Sequence, residues 1–137
     1  MQSIMSNDKM ETGSKILLVD DEPGNIEMLI EALESEHEVI VAISGERALR
    51  LAATVPQPDL ILLDVIMPGL DGYEVCRRLK ADPSTAAIPI VFLSASSDAG
   101  AVRQGLALGA ADYLTKPFAL HEVQACVQKQ LAQHRRE

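Results

Sequence analysis

Leu60-Ile61-Leu62-Leu63-Asp64-Val65-Ile66-Met67-Pro68-Gly69-Leu70-Asp71-Gly72 reads as a strand, a carboxylate and a loop. Residues 60 to 63 are continuously apolar and bounded by turn signals, which predicts a strand covered on both faces. Asp64 stands at its carboxyl end, and Pro68, Gly69 and Gly72 punctuate the loop beyond it. In open α/β sheets, ligands bind in the crevice beyond those strand ends. A lone Asp there usually does no more than open the next turn. Asp64 is not alone.

Lys15-Ile16-Leu17-Leu18-Val19 runs into Asp20-Asp21-Glu22-Pro23 in the same way. Placed side by side in a parallel sheet, the two strands bring Asp20, Asp21 and Asp64 to one edge. Clustered carboxylates raise one another's pKa unless a cation sits among them. Hard oxygen ligands suit Mg²⁺, which keeps several waters and takes one or two carboxylates plus a phosphate oxygen. The competing reading is helix capping, since Asp before Glu-Pro is a good helix start. One of Asp20 and Asp21 serving only as a cap is compatible with a metal site.

Two further strand ends complete the set. Asp112-Tyr113-Leu114-Thr115-Lys116-Pro117-Phe118 reads as a short strand ending in Lys-Pro, a candidate for a cis peptide bond. Lys116 can pair with a carboxylate or an incoming phosphate, although an isolated Lys would be an ordinary solvated loop residue. Pro89-Ile90-Val91-Phe92-Leu93-Ser94-Ala95 is a β-rich run ending in a hydroxyl. Ser94 can bond a phosphate oxygen or cap the next helix, and on its own the two readings are even.

Helices are expected between the strands. Pro23 opens one with Ile26, Leu29, Ile30 and Leu33 at helical spacing. Ser44 caps a second to about Ala53, Asp71-Gly72 begins a third to about Lys80, and a weaker fourth spans Asp98 to Leu108. Gly100 and Gly105 lower the propensity of the fourth. Leu120, Val123, Val127 and Leu131 mark the last. Glu38 to Ala42 is a short strand. Strand–helix alternation predicts a doubly wound α/β fold, a five-stranded parallel sheet with helices on both faces and right-handed crossovers.

In that order, Asp20-Asp21, Asp64 with Met67-Pro68-Gly69-x-Asp71-Gly72, Ser94-Ala95 and Lys116-Pro117-Phe118 resemble the receiver domain of two-component response regulators. The resemblance covers about residues 15 to 132, with 1 to 14 expected as a flexible tail and 133 to 137 as a polar extension of the last helix. It implies a flavodoxin-like sheet of order 2-1-3-4-5, an order of which receivers are themselves a standard example. It implies Asp64 as phosphoacceptor, and Mg²⁺ held by Asp20, Asp21, Asp64 and the backbone carbonyl of Ile66. Ser94 would be the switch hydroxyl, Lys116 would bind the phosphoryl group, and Tyr113 would be the aromatic rotamer switch. The donor would be a phosphohistidine on a sensor histidine kinase or histidine phosphotransfer protein. The output would pass to a downstream effector or attached output domain, through the fourth helix, fifth strand and fifth helix, with a homodimer as one outcome. Ser stands at 94 where Thr is commoner, and an apolar Ile66 occupies a position linked in the family to dephosphorylation rate.

Bulk properties agree. The chain has 137 residues and is 47% apolar, enough for one domain with a real core. It has no Trp, two Phe and two Tyr, so the core is expected to be aliphatic. Twenty acids against twelve bases leave a net charge of −8, which argues against direct nucleic-acid binding. No apolar run approaches the ~20 residues of a membrane span. Residues 1 to 10 lack the apolar core of a signal peptide, and Cys76 and Cys126 lack metal-ligand spacing, so a cytoplasmic protein with reduced thiols is expected. The sequence ends soon after the last expected helix, as in a stand-alone regulator or a receiver cut from a longer protein.

Two rivals differ in class. A Mg²⁺-dependent phosphohydrolase on a similar fold would carry a second acid two residues after its nucleophile, where Ile66 stands. A pseudo-receiver that binds partners without phosphorylation would lack one of the acids or the Lys, and all are present.

Overall fold

A computed structural model describes residues 14 to 95 and 99 to 135. Five strands alternate with five helices: β1 (Lys15–Val19), α1 (Pro23–Leu33), β2 (Glu38–Ala42), α2 (Gly45–Ala53), β3 (Leu60–Asp64), α3 (Gly72–Ala81), β4 (Ile90–Ser94), α4 (Ala99–Ala107), β5 (Asp112–Thr115) and α5 (Leu120–Arg135). The sheet order is β2-β1-β3-β4-β5, every neighbouring pair is parallel, and β1 and β3 lie side by side within it.

The period of two along a strand explains the continuous apolar run at 60 to 63. Ile61 and Leu63 face one core, with Leu17, Val19, Ile90 and Phe92; it is closed by Ala48 and Ala52 of α2 and Val75, Cys76 and Leu79 of α3. Leu60 and Leu62 face the other, with Ile16, Leu18, Val91 and Leu93; Leu29 and Leu33 of α1 and Val123, Val127 and Leu131 of α5 close it. A strand buried on both faces has no polar positions to alternate with. Each fully buried Leu or Ile contributes roughly 1.5–3 kcal/mol. Not every expected inward position is buried: Leu120, at the first position of α5, is 37% exposed.

Helix starts follow their caps. The Ser44 hydroxyl accepts from the Arg47 N–H, and an Asp71 carboxylate oxygen accepts from the Glu74 N–H at 2.9 Å. Gly72 is required by a close approach: a β-carbon there would lie 2.2 Å from the Asp64 carbonyl oxygen. The Gly72 N–H donates to the Val65 carbonyl at 2.9 Å, so α3 begins directly against the end of β3. Of the tail expected at 1 to 14, residues 1 to 13 lie outside the described residues, as do 136 and 137. Ser14 is buried, and its carbonyl accepts from the Glu38 N–H. Among the described residues, no helix is long and apolar enough to cross a membrane.

Candidate functional site

The parallel central strands carry their acids to one edge. Val19 pairs in register with Leu63, so Asp20 and Asp64, each the next residue, emerge together. Carboxylate oxygens of Asp20, Asp21 and Asp64 all lie within 4.8 Å of one another. Asp20 is 0% and Asp64 5% exposed, while Asp21 is exposed and forms the outer lip. Neither of the paired acids caps α1. Glu22 does, accepting from the Asn25 N–H at 2.9 Å, with Pro23 at the first helical position. Asp20 and Asp21 are thereby left at the sheet edge.

Lys116 reaches in from the end of β5. Its Nζ stands 3.3 Å from Asp64 Oδ1 and 3.7 Å from Asp20 Oδ2. Its own backbone N–H donates to the Ser94 carbonyl at 2.6 Å, so the ends of β4 and β5 are tied together. The Lys116–Pro117 peptide bond is cis. Burial first, and the Asp20 carboxylate second, push the pKa of Asp64 up to about 6, while Lys116 pulls it down. One cation does not fully compensate the buried acids.

The oxygens are unequally satisfied. Asp20 Oδ1 accepts from the Glu22 N–H at 3.0 Å. Asp20 Oδ2 is buried and accepts no hydrogen bond. A buried carboxylate oxygen facing two other carboxylates, with only an ion pair at 3.7 Å, is a poor arrangement without a further positive charge. The residues therefore fit a hard divalent cation. Ile66, expected to add its backbone carbonyl to the set, lies two residues past Asp64 and is 74% exposed.

Ser94 ends β4 and is 3% exposed. It lines a cavity of about 500 Å³ together with Val65, Ile66 and Asp71. A second cavity, about 330 Å³, is lined by Lys116, Ala95, Asn25 and Met28. Space is thus open beside both Ser94 and Lys116. Tyr113, on β5, is half-buried, and its ring lies 6.1 Å from Phe92. Its hydroxyl oxygen is buried without a hydrogen bond.

The model of the response regulator receiver domain matches residues 16–128. The chain belongs to that family. Response regulator PleD of Caulobacter vibrioides (strain NA1000 / CB15N) is 50% identical over 106 residues, covering 77% of this chain and 23% of that protein. The alkaline phosphatase synthesis transcriptional regulatory protein PhoP of Bacillus subtilis (strain 168) is 47% identical over 114 residues, covering 82% of this chain and 46% of that protein. This receiver domain therefore spans less than half the length of either relative. The receiver domain of sensor histidine kinase PA1611 from Pseudomonas aeruginosa PAO1, solved with a magnesium ion coordinated in its active-site cleft, superposes with a TM-score of 0.80 at 35% identity, over 88% of this chain and 98% of that one.

Within this receiver domain two residues escaped the sequence reading. Glu22 was overshadowed by the stronger capping residues beside it. Tyr73 lies in the first turn of α3, and its hydroxyl reaches the Ala101 carbonyl of α4 at 3.4 Å. No local signal announces a contact across 28 residues.

Proposed function

We propose that Asp64 accepts a phosphoryl group from a phosphohistidine on a sensor histidine kinase or histidine phosphotransfer protein, and that the modified domain controls a partner or an attached output domain. What supports this is the approach of Lys116 Nζ to within 3.3 Å of Asp64 Oδ1, inside a cluster of three carboxylates at the carboxyl edge of a parallel sheet.

An Asp64 carboxylate oxygen forms a bond to phosphorus as the phosphorus–nitrogen bond of the donor breaks. The electron pair of that bond returns to the imidazole nitrogen. The products are an aspartyl phosphate and a free histidine, a covalent capture by carboxylate. The Lys116 ammonium offsets charge on the transferring group, so catalysis is mostly positioning and electrostatics. Ala95 is small and leaves room for the donor beside Lys116. Asp20, Asp21 and Asp64, with the Ile66 carbonyl, hold Mg²⁺, which when bound neutralises phosphoryl charge. The magnesium in the PA1611 receiver is consistent with that assignment.

The added charge of roughly −2 is the signal. Ser94 turns to donate to a phosphoryl oxygen, and Tyr113 settles into the space it leaves. The surface that responds is α4, β5 and α5, where an effector or a second copy docks. Water attack on the phosphorus returns the resting state, so the domain catalyses its own phosphorylation and dephosphorylation. The setting is cytoplasmic.

Incubation with Mg²⁺ and a small phosphodonor, read by intact mass, tests the reading. One stable phosphoryl addition is expected. Asp64→Asn keeps the volume and removes the nucleophile, so it should show no addition while melting cooperatively. Phosphorylation of that variant at another residue would overturn the assignment.

A further inference from the structure

Among the described residues of α4, Gly105 is the buried one. A β-carbon built there would stand 2.9 Å from Phe92 Cδ2 and 3.2 Å from Tyr113 Cδ2. The helix backbone therefore rests directly on two aromatic rings. Tyr73 joins the group from α3. Its ring meets Phe92 edge-on, with centroids 5.3 Å apart and planes at 70°.

The two phenols stand in contrasting states. Tyr73 Oη donates to the Ala101 carbonyl of α4 at 3.4 Å, a long bond. Tyr113 Oη is buried and has no hydrogen bond. A buried hydroxyl without a partner is destabilising, and a small turn toward an acceptor removes the penalty. The Tyr73 oxygen is the acceptor at hand: both phenol rings pack on Phe92, and the Tyr73 hydrogen is already given to the Ala101 carbonyl.

We propose that Tyr73 is a positioning residue that couples the Tyr113 ring to α4: the inward Tyr113 hydroxyl donates to Tyr73 Oη, which donates in turn to the Ala101 carbonyl. A hydroxyl that accepts a hydrogen bond becomes a better donor, so engagement of Tyr113 tightens the long bond to α4. Ser94 and Tyr73 line the same cavity, which puts the hydroxyl expected to move and the relay on one space. α4 is suited to follow, since Gly100 and Gly105 weaken it and little of it is buried. The relay takes its input from the phosphoacceptor reading above, but its existence is a property of the unmodified protein.

The chain has two tyrosines, so isotopic labelling of the ring ζ-carbons gives two signals, each assigned by its Phe variant. Tyr73→Phe keeps the ring against Phe92 and deletes only the hydroxyl. In unmodified protein the Tyr113 signal should move, and the amides of residues 99 to 107 should exchange faster. With Mg²⁺ and beryllofluoride, the midpoint of the α4 response should weaken roughly three- to tenfold, the effect of one net hydrogen bond. Tyr113→Phe should weaken it as well, and the double variant should be no worse than Tyr73→Phe, because deleting the Tyr73 hydroxyl already removes both bonds of the relay. An unmoved Tyr113 signal in Tyr73→Phe, or additive losses in the double variant, would overturn the relay. If beryllofluoride leaves the Asp64 and Val65 amides of the wild type unmoved, the phosphoacceptor reading falls, and the tyrosine signals of the unmodified protein still decide the relay.

Discussion

At the scale of the residue, Ile66 should set a rate and Cys126 a pH response. Ile66 is 74% exposed beside the cavity that Ser94 lines, and it can hold no water by hydrogen bond. Hydrolysis of an aspartyl phosphate needs a positioned water, so this side chain should shield the group. Ile66→Asn supplies a donor and an acceptor at the same place, and the phosphorylated form should decay several-fold faster by intact mass; an equal or slower decay would refute the shielding. Cys126 is 7% exposed, and its Sγ stands 3.7 Å from Asp112 Oδ2. Burial first, and the Asp112 carboxylate second, push its thiol pKa up to about 12. An unfolded thiol titrates at about 8.5. Between those two values the unfolded chain has lost a proton that the folded chain keeps, so stability must fall as pH rises through that window. Urea unfolding from pH 7 to 10 should show the decline, and Cys126→Ala should flatten it. A slope unchanged in that variant would assign the decline elsewhere.

At the scale of the element, the β3–α3 connection depends on two glycines for different reasons. Gly69 has φ +77° and open space where a β-carbon would go, so Gly69→Ala meets only backbone strain, about 1–2 kcal/mol. At Gly72 a β-carbon would stand 2.2 Å from the Asp64 carbonyl oxygen and 2.8 Å from Val65 Cα. Those are backbone atoms and cannot rotate away. Gly72→Ala must push α3 off the end of β3, at a cost of about 3 kcal/mol or more. It should also disturb Asp64, which Gly69→Ala should not. Chemical unfolding of the two variants checks the order, and equal losses would mean that the loop absorbs the clash. Deleting the Asp71 cap by Asp71→Ala should cost about 1 kcal/mol, through α3 alone.

At the scale of the whole molecule, the sheet concentrates charge. The chain carries −8 overall, and its buried acids sit together at one edge with Lys116 as their close cation. A cation that binds this edge in the folded state alone raises stability by mass action. Saturating Mg²⁺ should therefore raise the melting temperature by a few degrees above NaCl of equal ionic strength, and Asp21→Ala should shrink the increment. An equal effect of both salts would reduce the cluster to general screening. Much of this arrangement was legible in the sequence. The continuous run at 60 to 63 implied a strand covered on both faces, and alternation of strands and helices implied a parallel sheet. Parallel strands then bring their carboxyl ends, and with them Asp20, Asp21, Asp64 and Lys116, to one edge of the sheet, while the placing of β1 beside β3 was implied by the resemblance to receiver domains. The strands and their common edge are consequences of periodicity and chain direction, which any sequence carries locally. Other features depend on packing between distant segments. Which of the paired acids is buried, why Glu22 rather than either one caps α1, and how Tyr73, Phe92 and Tyr113 come to support α4 were decided only by the tertiary structure. A residue's neighbours along the chain set its propensity, whereas its burial and its hydrogen-bond partners come from elements that meet only once the sheet has formed.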